Sequence, residues 1–451
     1  MRASLAVLTI ALAADLSLAS DRPATQSEES AKRGQRAVRG QPPMNPPLWS
    51  TGALDSVWKQ WGLKEKPDNF AEAFRQRYGL HAAPYENNGL PMGFHFSPGL
   101  LGKGLITDCL LCHGGTVAGQ TIIGLGNASL DLQTMFDDLN VAAAFPFKFP
   151  MHFSHVRGTI DPVSPVGFLL GFRDADLKVQ KHTRLDYFEN ICSDPPAWWL
   201  IKKKKTRDWT GGVDARSMRI DMVNLLTPFN GPRHIKKHET TFVDIHNFLL
   251  TVEAPTFPFP INQPLAEQGA KVFEQTCARC HGTYGPGATY PNKIVPLKTI
   301  GTDPTLALAV SATNIEYFNK TWLAQEKGPD GQPYQVRDTR GYQAPPLDGV
   351  WATAPYFHNS SAPTVYHVLN SKARPKYFTR SYRTGKDDYD SEKLGWKITV
   401  LDQQPDPRMP AAERRKMYDT TLPGRDNTGH TFGDDLTEEE RMSLIEYLKT
   451  L

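Results

Sequence analysis

Two five-residue patterns in this chain combine residue types and spacing that serve one kind of chemistry. Cys109-Leu110-Leu111-Cys112-His113 and Cys277-Ala278-Arg279-Cys280-His281 both read C-x-x-C-H, and together they take up all but one of the 5 cysteines. Two thiols at this spacing can close as thioethers on one edge of a porphyrin, and the adjacent imidazole then lies under the iron as an axial ligand. Half a zinc site or a redox dithiol would also use C-x-x-C. A zinc site would pool all four thiolates, yet each pair here carries its own His, and a dithiol needs no His there. The patterns therefore imply two haem c groups, one on Cys109, Cys112 and His113, the other on Cys277, Cys280 and His281. Cys192 is left without a partner.

A haem that only moves electrons keeps two protein ligands, whereas one that binds O2 or peroxide needs a free face. Downstream of the second site, His358, His367, His430, Met409, Met417 and Met442 are available as a sixth ligand. His430 sits in a glycine-flanked loop, Asn427-Thr428-Gly429-His430, just before the last predicted helix; His358 and Met409 are its main competitors. Around the first site the candidates are His95, His152, His155, Met92, Met135 and Met151. No His occurs between His113 and His152.

The elements that must position these groups are few. Leu130 to Val141 and Phe242 to Val252 read as helices, and Leu265 to Cys277 reads as an amphipathic helix leading straight into the second site. Thr437 with Glu440 has capping-box spacing at the start of a final helix. Proline-rich residues 254–264 make a stiff linker between an N-terminal haem domain, 48–253, and a C-terminal cytochrome c domain, 265–451. Residues 20–47, rich in Ser, Arg, Gln and Pro, read as a flexible arm, with structure beginning near Trp49. With 35 glycines and 36 prolines in 451 residues, the expected fold is mainly α but loop-rich, with two cytochrome c-like haem domains packed together.

Met1-Arg2, the apolar run Leu5 to Ala14 and the small residues Ser17-Leu18-Ala19 read as a signal peptide over 1–19. The run is short for a bilayer span and Asp15 interrupts it, so the mature protein is expected to be periplasmic or secreted and not membrane-spanning. A net charge of +3 with 22% charged residues makes no case for nucleic acid, and Lys202 to Lys205 read as a solvated face.

Residues 341–365, GYQAPPLDGVWATAPYFHNSSAPTV, resemble the signature of the diheme cytochrome c peroxidase superfamily, and the longer form with GVWAT looks most like the branch that contains bacterial rubber oxygenase. Segments beginning at Pro195, Leu297 and Leu422 resemble the same branch. The resemblance implies that the helix before the second site crosses the C-terminal helix, and that His430 is the distal ligand of the second haem. It also implies that His358 lies in the haem pocket without binding iron, and that a Trp among Trp198, Trp199 and Trp209 passes electrons between the haems. Trp351 and Tyr356 read as packing. The family's switch His after the first site has no counterpart here, which implies an open distal face.

Nor is there a Glu between residues 87 and 188 to serve as its acid/base group, so Asp174, Asp176 or Glu189 would have to substitute. This departure favours oxygen chemistry or electron transfer over simple peroxidase activity. The expected function is a diheme oxidoreductase that binds O2 or peroxide at the first haem and relays electrons at the second. Its partner would be a small redox protein or a small-molecule oxidant. The alternatives are a non-catalytic electron-transfer diheme cytochrome, or haem domains that dock in a larger respiratory complex.

Overall fold

The computed structural model describes residues 24–99, 102–144, 150–185, 190–228 and 230–451. The signal segment 1–19 and Glu189 lie outside the described residues. Helix accounts for 36% and strand for 14%, a mixed fold rather than a mainly α one. Among the described residues the strands are short and form two three-stranded and four two-stranded sheets; Gly102–Thr107 pairs with Trp49–Ser50 on one side and Phe94–Gly99 on the other, and Gly114–Val117 pairs with Gln120–Ile123.

Seven helices of nine residues or more carry the framework among the described residues: α1 (Ala24–Ala37), α2 (Phe70–Tyr78), α3 (Leu132–Ala142), α4 (Glu239–Leu249), α5 (Gln263–Thr276), α6 (Ala312–Lys320) and α7 (Glu438–Leu448). α3, α4 and α5 match the periodicity read from sequence to within three residues at each end. α7 starts at Thr437, which accepts from the Glu440 N–H while the Glu440 carboxylate accepts from the Thr437 N–H. This satisfies two of the end groups that a helix leaves open.

α1 corrects the expected flexible arm. It packs along α4, where Arg33 donates to both oxygens of Asp244 at 2.7 and 2.8 Å and Ser30 donates to the same carboxylate. Ala31 and Ala37 are buried there. A segment so rich in polar residues looks disordered by composition because its partner, a buried carboxylate on α4, is more than 200 residues away in the chain.

The Pro-rich stretch has no regular structure between α4 and α5 but is packed onto the second half: Trp351 donates its indole N–H to the Pro255 carbonyl at 2.9 Å, and Phe257 is buried against Trp351. The halves also share a core. Val117, Leu125 and Trp199 from the first pack in one cluster with Trp351, Trp396 and Leu444 from the second.

α5 and α7 cross at Gly269, where a Cβ would lie 1.8 Å from the Ser443 carbonyl oxygen. Only glycine allows backbones so close. Beside the crossing, Phe273 and Tyr447 meet with ring centres 5.2 Å apart.

Candidate haem sites

Each C-x-x-C-H pattern folds as a single helical turn, Leu110–His113 and Ala278–His281. The first hangs between two β elements. Gly102–Thr107 leads through Asp108, whose carboxylate accepts from the Leu110 N–H at 2.9 Å, and the strand Gly114–Val117 begins immediately after His113. The second follows α5 directly.

The imidazoles are held alike. His113 Nδ1 lies 3.1 Å from the Pro196 carbonyl oxygen, and His281 Nδ1 lies 2.8 Å from that of Pro345. Donating Nδ1–H to a backbone carbonyl fixes the tautomer and leaves Nε2 with a free lone pair for a metal. Burial keeps both rings neutral: it pushes His113 down to about 4, opposed by the Pro196 carbonyl and the Asp221 carboxylate, and it lowers His281 against the Pro345 carbonyl. Both carbonyls belong to Pro-Pro pairs, Pro195-Pro196 and Pro345-Pro346. That repeated pair was the overlooked sequence signal for these anchors.

All the cysteines are free. Burial pushes the Cys109, Cys112 and Cys277 thiols up to about 12, the opposite of the thiolate character that a zinc ligand or a reactive dithiol needs. Among the described residues no group of three or more His, Cys, Asp or Glu is placed to hold a metal ion. The thiols suit thioether attachment, and His358 offers a further test of fit. Its ring stacks on Tyr342 at 4.0 Å, burial pushes it down to about 3, and its buried Nε2 has no protein partner. A buried polar atom of this kind calls for a group that the polypeptide does not supply.

Opposite His281 the structure places His430, with ring centres 6.3 Å apart. Two imidazoles on one metal, each at about 2 Å, would put their ring centres about 6 Å apart. The loop is fixed by its backbone. The His430 N–H donates to the Ile300 carbonyl at 2.7 Å, and a Cβ on Gly429 would lie 2.1 Å from the Gly301 carbonyl carbon. The Arg374 guanidinium gathers the Asn427 and Gly429 carbonyls at 2.6 and 2.7 Å. His430 itself is left-handed, φ 44°, a costly conformation for a non-glycine residue that this network holds. Burial, then the nearby His281, push its pKa down to about 4.

Among the competitors, the His358 ring stacks on Tyr342 and shows no ring contact with His281, and Met409 lies in the turn before the helix Ala411–Arg414. Met417 lies in a strand paired with Tyr377–Thr379, and Met442 packs on the α5–α7 core.

His113 has a different neighbour. Trp198 stacks on it with ring centres 5.1 Å apart and planes 27° from parallel, and among the described residues no second imidazole lies in ring contact with it. His95 Nδ1 faces the Asp108 carboxylate at 3.2 Å. The Met92 thioether lies against Gly114, and Met135 is buried in the core with Leu111. Met151, His152 and His155 line a cavity of ≈ 300 Å³ together with His182, and no residue of the first C-x-x-C-H site lines it. Asp174 and Asp176 are taken up in an exposed turn, where they accept from the Lys178 N–H and Nζ respectively. The carboxylate that acts on the first site from across the fold is Asp221, which receives Arg207 Nη1 at 2.7 and 2.8 Å and raises both the Cys109 and His113 pKa values. Nothing local in the sequence marks it.

The three tryptophans lie between the two patterns in sequence, and each is fixed by contacts of its own. Trp199, 1% exposed, donates to the Asp348 carbonyl at 2.7 Å, in the loop whose Pro345 carbonyl holds His281. Trp209 donates to the Asp194 carbonyl at 2.7 Å, while its own carbonyl accepts from Gln343 at 2.8 Å. Trp351 is fully buried, and Tyr356 donates to the Val350 carbonyl at 3.1 Å, both as packing.

Residues 341–379 match a family described as RoxA-like, cytochrome c-like. The match contains the stretch 341–365 read above as resembling the rubber oxygenase branch, and it marks a cytochrome c-like segment in this chain. Among curated proteins, the uncharacterized protein y4iM of Sinorhizobium fredii (strain NBRC 101917 / NGR234) is 28% identical over 332 residues, 65% of this chain and 72% of that protein. The uncharacterized protein y4iJ of the same strain is 28% identical over 251 residues, 42% of this chain and 39% of that protein. Among solved structures, Kuenenia stuttgartiensis hydrazine synthase pressurized with xenon aligns with a TM-score of 0.27 and 15% identity, over 64% of this chain and 88% of that one. A MauG-like protein associated with microbial copper homeostasis aligns with a TM-score of 0.28 and 17% identity, over 68% and 95%. At these scores neither alignment defines a common fold.

Proposed function

We propose that this chain, which carries a cytochrome c-like segment over 341–379, is an exported diheme c-type oxidoreductase with one haem domain in each half. Cys109 and Cys112 would attach the first haem above His113, and Cys277 and Cys280 the second above His281. Haem iron supplies electron storage where both axial places are filled, and O2 or peroxide binding where one is open.

The observation that carries the reading is the inequality of the two imidazoles. His281 has His430 facing it at 6.3 Å; His113 has an indole stacked beside it and no second imidazole in ring contact among the described residues. The first site is therefore the reactive one and the second the electron reservoir. The chain's own work is to hold both Nε2 atoms free through the Pro196 and Pro345 carbonyls and to pin His430 through Arg374. It also spans the sites with aromatic residues, since Trp198 touches His113 and Trp199 touches the loop that anchors His281.

Export rests on the signal-peptide pattern. Among the described residues no helix is long and apolar enough to cross a membrane. The partner would be a small redox protein or a small-molecule oxidant.

The test is spectroscopy on protein produced with covalent haem maturation. Two haems per chain are expected, one low-spin and one high-spin, the latter shifting with cyanide, peroxide or O2. Two low-spin irons inert to added ligands would overturn the enzymatic reading and leave an electron carrier.

A further inference from the structure

Residues of both halves line a small cavity of ≈ 10 Å³, about the room needed by one water-sized occupant. Ala128, Arg157 and Gly158 line it from the first half; Ser360, Arg380 and Trp396 are among its lining from the second. Two guanidinium groups therefore converge on a space that holds at most one small species.

Both cations lie over the same ring, with Arg157 and Arg380 at 4.9 and 4.5 Å from the centre of Tyr382, and Arg380 is also 4.3 Å from that of Trp396. Arg157, 7% exposed, donates to the Ser129 and Gln76 carbonyls at 2.9 and 2.8 Å, and Arg380 donates through Nη2 to the Ala128 carbonyl. Arg380 Nη1 is buried and has no hydrogen-bond partner.

Among the described residues neither Arg is ion-paired with a carboxylate. Asp131 is engaged by Arg415 and Thr134, and Asp388 by Ser381 and the Gly385 N–H. Asp131 and Glu413 act on Arg157, and Asp388 on Arg380, only through space. Asp194 accepts from the cavity-lining Ser360 and has no contact with either guanidinium; burial pushes it well above the usual carboxylate range, against the Ser360 hydrogen bond. Burial and then the neighbouring Arg157 lower Arg380 to about 10, opposed by Tyr382 and, more weakly, by Asp388. Removing two like charges from water without a counter-ion is costly, and a water molecule cannot neutralise them.

We infer that the cavity between Arg157 and Arg380 is a seat for one small anionic atom, either a halide ion from solution or a carboxylate oxygen of a haem reaching in from the Cys112 side. The second source is within reach along the chain: Asn127, next to Ala128, donates its backbone N–H to the Cys112 carbonyl at 2.8 Å. The inference rests on the proposed haem attachment only for that source.

Crystals of the haem-loaded protein soaked in sodium bromide decide between the sources without any substitution. An anomalous peak between the two guanidinium groups assigns the seat to a solution anion; a haem carboxylate in the cavity assigns it to the cofactor. A cavity holding water alone, or nothing, overturns the inference, whatever the haem content proves to be. Two solution measurements guard against binding at soaking concentration only. In the first case the wild type should melt about 2–4 °C higher in chloride than in gluconate at equal ionic strength, and Arg380→Met should abolish the difference. In the second, Arg380→Met should lower a haem midpoint potential and Arg380→Lys should restore it. An unchanged melting point where bromide is seated, or an unchanged potential where the haem carboxylate is seated, overturns the inference.

Discussion

Trp198 stacks on His113, and its chain neighbour Trp199 donates to the Asp348 carbonyl, three residues from the Pro345 carbonyl that anchors His281. Two consecutive side chains thus touch both halves of the molecule. Trp199→Phe removes the hydrogen bond but keeps an aromatic ring, and should slow electron equilibration between the haems while haem content stays unchanged. Stopped-flow reduction followed at both haems reads this; wild-type equilibration rates would discard the relay. Trp199→Ala should in addition cost about 3–5 kcal/mol of stability, because it empties a fully packed site shared by both halves.

Replacing His430 tests the second site. His430→Ala should convert a low-spin iron to high spin, visible in absorption and electron paramagnetic resonance, while His430→Met should keep it low-spin and raise its potential, as Met does against His. An unchanged spectrum in His430→Ala would move the sixth ligand elsewhere. Arg374→Leu, which frees the Asn427 and Gly429 carbonyls, should give a partial mixture of the two spin states.

The helix crossing is testable without a haem signal. A methyl group on Gly269 has no room against the Ser443 carbonyl, so Gly269→Ala should force α5 and α7 apart. The expected loss is about 1–3 kcal/mol, read as a lower denaturant midpoint at unchanged slope. Wild-type stability in this variant would mean that the helices do not cross there.

Acid stability has a predicted sign. His81 is buried, with Nε2 2.9 Å from the Asn127 side-chain oxygen, and burial pushes it down to about 4 from an ordinary 6.5. Its folded form resists a proton that the unfolded chain accepts, so its contribution is complete above pH 6.5 and is lost as pH falls towards 4. The loss reaches on the order of 3 kcal/mol for a shift of this size. His81→Gln, which can still donate to Asn127, should flatten the decline in unfolding free energy between those pH values. An identical slope in the variant would show that His81 is not held neutral.

Much of the framework could be read without coordinates because it depends on local physics. The C-x-x-C-H spacing defines a single helical turn carrying two thiols and an imidazole. The capping pair Thr437 and Glu440, and the apolar periods of α3, α4 and α5, specify helices from neighbours three and four residues apart. Composition misled at residues 24–37, where polar side chains that look solvated instead satisfy Asp244 on α4.

The sequence by itself determined the two C-x-x-C-H patterns, the helices around the second, and a short set of candidate ligands for each. Tertiary structure alone decided which candidate stands where: His430 opposite His281, Trp198 beside His113, the Pro196 and Pro345 carbonyls behind the rings, and Arg157 with Arg380 around one cavity. The reason is separation along the chain. A helix is written in residues a turn apart, whereas each of these pairings joins segments dozens to hundreds of residues distant, and only packing brings them within a few ångströms.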